Sequence, residues 1–204
     1  MSYFSIAGIA AAAVMTVGGA LGAVSNGSVN NQPKAIVDQD GGVMNPMIGG
    51  QAMLPDRDIM ENMAASPMHT TFVNDLKDTG VAAALKTNGQ FTVFAPTNAA
   101  FAAAGPQSKS SLARRMSYLI VPGKYDSQAL LRVISEAGGE AKLRTVEGGT
   151  LVARMNGPTN IVVMDEHGNT ADIAIYDVHD KNGIVHVVDR MLEPGGAARQ
   201  IASN

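Results

Sequence analysis

The chain has 204 residues, 46% of them hydrophobic and 16% charged, and its 15 basic and 18 acidic residues leave a formal net charge of −3. This length and composition predict one globular domain with an appendage, and because like charges form no block we expect no nucleic-acid partner. Cysteine is absent, which excludes disulfides, thiolate metal sites and cysteine nucleophiles.

Residues 1–24 are uncharged and dominated by small and aliphatic residues, which indicates a signal peptide or an N-terminal anchor outside the fold. The small residues Ala20, Gly22 and Ala23 resemble a cleavage site and favour export. A signal peptide normally begins with Lys or Arg, yet the first basic residue is Lys34. Two alternatives therefore stay open, a start upstream and an uncleaved anchor.

Residues 25–55 are rich in Asn, Gly, Gln, Met and Pro without periodicity, which predicts a linker, or lead-in, with some docked pieces. The compact domain is predicted from residue 56. Asp56 or Asp58 can cap a first short helix, and a second helix follows His69 and ends near Thr79. These helices and the turn after them carry apolar residues at helical spacing: Ile59, Met60, Met63, Phe72, Val73, Leu76, Val81, Ala84 and Leu85.

Residues 91–95 are apolar without alternation, as expected of a strand covered on both faces. Pro96 ends this strand, and Thr97 or Asn98 can cap a helix over 99–104. Farther along, Ser110 or Ser111 can cap a helix through Leu119. A turn built on Pro122 and Gly123 follows, and Asp126 can cap another helix that Gly138 and Gly139 close.

After residue 140 the sequence becomes a series of short β-branched segments separated by Gly-rich and Asn-rich turns. Helices first and strands afterwards, with one early strand, predict an α+β domain whose late strands pair with residues 91–95. The last segment, 184–188, is apolar on both faces, so it should be central with His186 inside. A buried imidazole needs a partner, which we expect to be backbone or a polar residue of the block that begins at 91.

Three segments, FTVFAPTNAAF (91–101), YLIVPGKY (118–125) and NGIVHVVDRMLEP (182–194), resemble the signature blocks of the fasciclin domain in order and separation. The resemblance covers residues 56–194 and leaves 195–204 as a C-terminal tail. The residues that carry it, as structural or interaction residues, are Thr92, Phe94, Pro96, Thr97, Asn98, Phe101, Tyr118, Pro122, Gly123, Asn182, Gly183, His186 and Asp189. They are called the motif residues below.

This resemblance implies a wedge-shaped β-sandwich with several helices packed around one edge. It implies a non-catalytic adhesion module without a cofactor, exported to the periplasm, the cell surface or the extracellular space. The implied partner is a cell-surface or matrix protein or a polysaccharide, with membrane contact only through an uncleaved N-terminal segment. Where the family commonly has Tyr-His, this chain has Tyr118-Leu119, so recognition by that histidine is not carried over and Tyr118 is expected to be a core aromatic.

A second class of function stays open, a periplasmic protein that binds a small ligand or a metal on the same fold. Asp177, His179 and Asp180 could form a weak divalent site, although Asn-Gly turn chemistry also explains this polar segment. Asp165 begins a stretch like a calcium loop, but its twelfth position is Tyr176 where a bidentate Glu is expected. A deep apolar pocket with converging polar groups would favour the binding protein.

Overall fold

The structure, a computed structural model, describes residues 36–37, 43–87, 89–106 and 108–196, all of which belong to one unit. The predicted leader, residues 1–24, lies outside the described residues, as do most of the C-terminal tail and the beginning of the lead-in. The described part of the lead-in contains four two-residue strands: β1 (Ile36–Val37), β2 (Val43–Met44), β3 (Met47–Ile48) and β4 (Gln51–Ala52).

The described residues form six helices: α1 (Ile59–Ala65), α2 (Thr70–Asp78), a 3₁₀ helix (Val81–Lys86), α3 (Asn98–Ala104), α4 (Lys109–Tyr118) and α5 (Ser127–Glu136). Side chains cap α1, α3 and α5 as the sequence predicts, through Asp58, Thr97 and Asp126. The predicted cap of α4 is wrong. The N-cap is Ser108, whose side chain accepts the backbone N–H of Ser111. The helix therefore begins at Lys109, earlier than predicted, and Ser110 and Ser111 lie in its first turn.

The main sheet has seven strands in the order β6-β5-β11-β10-β9-β8-β7. Their bounds are β5 (Phe91–Pro96), β6 (Ile120–Pro122), β7 (Glu140–Arg144), β8 (Thr150–Asn156), β9 (Asn160–Met164), β10 (Thr170–Asp180) and β11 (Gly183–Val188). The sequence did not predict β6, because its three residues continue the apolar run of α4 and end in a turn signal. Pairing with Thr92 and Val93 makes this segment a strand.

Strand β10 joins two halves of this sheet. Its first residues, Thr170–Asp172, pair with β9, whereas the part from Ile173 onward pairs with β11 across two register shifts. Asp177 adopts a positive φ of 59° in this irregular stretch. Bulges of this kind bend a strand, so both halves can cover one continuous hydrophobic core. The α+β class and the predicted sandwich with helices at one edge are confirmed.

The centre of the sheet is the parallel pair of β5 and β11, and every residue of both strands is buried. The predicted central position of the last strand is thereby confirmed, with His186 beside Phe94 in the register. Gly183 starts β11 against the carbonyl of Phe91. A Cβ at this position would lie 2.0 Å from that oxygen, so no other residue fits.

Part of the lead-in is docked on the domain. Ile48 and Met53 are buried in the core. Asn45 bonds both backbone groups of His179, donating to its carbonyl at 2.6 Å and accepting from its N–H at 2.8 Å. Residues 45–53 therefore supply the docked pieces that the sequence allowed for in the linker.

Asn98 connects α3 to α2. Its Oδ1 accepts the backbone N–H of Thr71 at 3.0 Å, and its Nδ2 donates to the carbonyl of Pro67 at 3.0 Å. The residue at the N-cap of α2, His69, contributes no capping bond from its side chain. Asn98 therefore satisfies the first turn of α2 from another helix, while Thr97 caps α3 through the N–H of Ala100 at 3.3 Å.

We expect Asn98→Ala to destabilise the domain more than Thr97→Ala does. Loss of Asn98 removes two hydrogen bonds that hold the beginning of α2, which costs about 2 kcal/mol, whereas loss of the single, longer cap bond of Thr97 costs about 1 kcal/mol. Urea unfolding of both variants checks the ranking. A Thr97 variant less stable than the Asn98 variant would contradict the assignment.

Candidate interaction site

One group of motif residues holds helices against the start of β11. The side chain of Asn182 accepts the backbone N–H of Ile59 at 2.9 Å and donates to the carbonyl of Leu85 at 2.8 Å. It therefore joins α1 and the 3₁₀ helix to the turn that precedes Gly183. At the other end of β5 the chain passes from Pro96 into the caps formed by Thr97 and Asn98.

A second group fixes the loop after β6 on β5. The buried hydroxyl of Thr92 donates to the carbonyl of Gly123 at 2.8 Å and accepts the N–H of Tyr125 at 2.9 Å. Gly123 has a φ of 105°, and a Cβ there would lie 2.9 Å from the ring of Tyr125. Pro122, at the end of β6, pairs with Phe91. The loop is thus fixed before it reaches α5.

His186 lies at the centre of this arrangement and is fully buried. Its Nε2 lies 2.8 Å from the carbonyl of Tyr125, its Nδ1 accepts the N–H of Asp177 at 3.4 Å, and Phe94 stacks on its ring at 5.7 Å. These partners require a neutral imidazole that carries its proton on Nε2. Burial lowers the pKa of His186 and keeps it neutral. The partners are backbone, and they belong to the loop after β6 and to β10 rather than to residues 91–101.

The other motif residues are also bonded or packed within the domain. Tyr118 is buried, donates to the carbonyl of Thr150 at 2.7 Å and accepts the N–H of Glu166 at 3.2 Å, so it is the expected core aromatic. Burial raises the pKa of its phenol. Asp189 accepts the N–H of Asp172 at 2.8 Å. The ring of Phe101 packs 6.4 Å from that of Phe72 and also faces a cleft described below.

The carboxylates considered as metal ligands have partners of their own. Asp177 accepts the backbone N–H of Ser127 at 2.7 Å and makes a short bond to its hydroxyl, which ties it to the first turn of α5. Asp165 accepts N–H groups of His167, Asn169 and Glu193. Within the part of the chain that the structure describes, no three His, Asp or Glu side chains form a cluster suited to a metal ion.

Asp180 is a buried carboxyl that connects the lead-in to the end of β10. Its Oδ1 accepts Nδ2 of Asn62 at 2.6 Å, and the same Nδ2 donates to the carbonyl of Leu54. Oδ2 is buried without a hydrogen-bond partner among the described residues. Burial raises the pKa of Asp180 to about 7, with a further contribution from Asp58 and opposing ones from the bond to Asn62 and from Lys124.

The surface of the helices carries a cleft of about 570 Å³ between α2, α3 and α4. It is lined by Thr71, Asp75, Asn98, Phe101, Ala102, Gly105, Pro106, Leu112 and Arg115. Burial raises the pKa of Asp75, with a contribution from Asp78.

The sequence analysis did not predict the residues that line this cleft, apart from the motif residues Asn98 and Phe101, because three separate helices bring them together. The sequence did contain one indication of the cleft. Arg115 lies three positions after the apolar Leu112 on α4, so the two side chains are neighbours on the helix surface and a cation lies beside the apolar face.

We compared the chain with protein-family models, with curated proteins and with solved structures. A family model described as Fasciclin domain matches residues 67–194. Protein sll1483 of Synechocystis sp. is 32% identical over 146 residues, which cover 67% of this chain and 73% of that protein. Periostin of Homo sapiens is 32% identical over 126 residues, which cover 58% of this chain and only 14% of periostin.

A solved FAS1 domain pair from the insect cell adhesion molecule fasciclin I matches with a TM-score of 0.57 at 19% identity. The match covers 68% of this chain and 51% of that chain, so this chain corresponds to about half of the pair and shares its fold. Among the described residues, no helix has the length and apolar character needed to cross a membrane.

We expect His186→Ala to lower the free energy of unfolding by about 3 kcal/mol, because it leaves a cavity beside Phe94 and two unpaired backbone groups. His167→Ala is the matched control, since His167 is exposed. It should change stability by less than about 0.5 kcal/mol. Equilibrium unfolding and elemental analysis of both variants provide the test. Loss of bound zinc from the His186 variant without loss of stability would contradict the structural role.

Stability should fall as pH rises through the range in which Asp180 ionises. The ordinary pKa of this carboxyl is 3.8 and its pKa in the folded chain is about 7, so between these values the folded chain holds a proton that the unfolded chain has lost. This group alone lowers the free energy of unfolding by about 3 to 4 kcal/mol from about pH 4 to pH 8.

The variant Asp180→Asn keeps an acceptor for Asn62 and should lose this pH dependence. Asp56→Asn changes an exposed aspartate shortly before α1 and should keep the pH dependence. Urea midpoints across the pH range measure the difference. Equal slopes for the wild type and the Asp180 variant would show that Asp180 does not ionise in this range.

Proposed function

The chain belongs to the fasciclin domain family, and on that premise we propose that it is a non-catalytic attachment module. Its partner would be a cell-surface or matrix protein or a polysaccharide. The family occurs in adhesion proteins, among them the insect molecule whose domain pair shares this fold. The observation that carries the proposal is that the polar motif residues bond within the domain, so recognition has to use the rest of the surface.

Buried histidines support the non-catalytic part of the proposal. Among the residues that the structure describes, Ser66 and His69 form the Ser-His pair that most resembles a hydrolase dyad, with Oγ and Nδ1 2.9 Å apart. Both residues are buried, and burial lowers the pKa of His69 to about 4. His186 is buried as well. Neither histidine is accessible to a substrate from the surface in this arrangement.

Exposed apolar side chains support an attachment surface near the docked lead-in. Met47 is 64% exposed, and Met68 and Leu54 are 39% and 38% exposed. A Cβ on Gly49 would lie 3.1 Å from Cγ of Met68, so the β3–β4 hairpin touches the turn before α2. Large apolar side chains gathered at one place are typical of contact surfaces. We call Met47 and Met68 the methionine patch.

Export is part of the proposal. An uncharged leader followed by a polar lead-in supports a mature protein that starts near Ala23 to Ser25, with the domain in the periplasm, at the cell surface or outside the cell. If the leader is uncleaved, it anchors the domain to the membrane. A single domain copy with a small attachment surface binds weakly, and display of many copies can raise avidity about 10² to 10⁴-fold.

Beads that carry many copies of residues 25–204 should adhere to producing cells or their matrix, whereas soluble monomer should show little binding. Replacing Met47 and Met68 by Ser should remove most of the adhesion if the methionine patch is the contact surface. Val146→Ser is the matched control, because Val146 is as exposed as Met68, at 39%, but lies on the loop after β7. Protease treatment of the cells distinguishes a protein partner from a polysaccharide. Equal adhesion of coated and bare beads would overturn the attachment role.

A further inference from the structure

We propose that the cleft between α2, α3 and α4 binds a free α-amino acid with an apolar side chain. This inference goes beyond the attachment role and does not depend on it. Two side chains of opposite charge line the same cleft, and apolar residues line the space around them. A small zwitterion with an apolar body complements all three features.

Arg115 supplies the cationic wall. It is only 4% exposed, and Nη2 donates to Glu193. Among the described residues that is its only side-chain bond, so N–H donors remain without a partner in that part of the chain on a residue that lines the cleft. A guanidinium held by packing and by one ion pair is pre-organised to bind a carboxylate with its free donors.

Asp75 supplies the anionic wall. Its carboxylate makes no ion pair or hydrogen bond with any residue that the structure describes, although burial already removes part of its hydration. It is not paired with Arg115, which lines the same cleft. Thr71 lies one turn earlier on α2 and also lines the cleft. An ammonium group would neutralise Asp75 and hydrogen-bond with both residues.

The apolar residues of the lining complement the side chain of the proposed amino acid. Phe101, Ala102, Pro106 and Leu112 provide it, and the ring of Phe101 is supported by Phe72. The volume of about 570 Å³ lies within the range of small-molecule sites. A simple carboxylate would leave Asp75 unpaired, and a simple amine would leave the remaining N–H donors of Arg115 unused. Multiply charged phosphates are disfavoured because Arg115 is the only cationic residue in the lining and Asp75 repels them.

The test is calorimetric titration of the full chain with L-leucine and with two analogues that each lack one charge, 3-methylbutan-1-amine and 4-methylpentanoate. We expect L-leucine to bind and each analogue to bind at least about tenfold more weakly, which corresponds to the loss of one charged contact. No binding of L-leucine up to roughly 10 mM would overturn the proposal. Equal binding of an analogue would overturn it as well.

Asp75→Asn should weaken binding of L-leucine at least about tenfold and leave that of 4-methylpentanoate unchanged or improved. Asp78→Asn is the matched control. Asp78 lies on the same helix and is exposed, but it does not line the cleft. Melting temperatures of both variants verify that they fold. Equal effects of the two substitutions on L-leucine would mean that Asp75 does not contact the ligand, and the assignment of this wall would be wrong.

Discussion

The parallel pairing of β5 with β11 is the constraint on which the rest of this domain depends. Two parallel neighbours cannot be joined by a tight turn, so residues 97–182 must form one long crossover connection. That connection contains α3, α4 and α5 together with the strands from β6 to β10. The pair is covered on both faces, which requires apolar residues throughout and an unusually close approach at Gly183. Small changes at this centre therefore affect elements that are far apart in the sequence.

The motif residues follow from this constraint. Asn182 holds two helices at the beginning of the pair, Thr92 and His186 hold the loop after β6 at its middle, and Asn98 holds α2 at its end. Their polar atoms are used within the domain, which explains why a strong sequence signature need not mark a binding surface. In the two proposals, recognition depends on side chains outside the signature, such as Asp75 and Arg115 of the helical cleft and the residues of the methionine patch.

Local signals in the sequence predicted much of the fold. Asp58 and Asp126 have short polar side chains directly before apolar periodic segments, and capping decides where such helices begin. Strand β6 was missed because Ile120 and Val121 carry no periodicity of their own, and only pairing with β5 makes them a strand. The cleft could not be predicted, since Asp75 and Arg115 come together only after α2 and α4 pack. Likewise, nothing near Asp180 in sequence indicates that Asn62 would bury it.

Native-state hydrogen exchange of the full chain tests the central claim most directly. The N–H of Phe94, which donates to the carbonyl of Leu119 at 3.0 Å, reports on β5, and the amides of β11 report on its partner. If the parallel pair organises the domain, these amides exchange only by global unfolding, with the free energy and urea dependence of the whole molecule. Exchange of β5 and β11 through local opening, while β8 and β9 stay protected, would contradict the account.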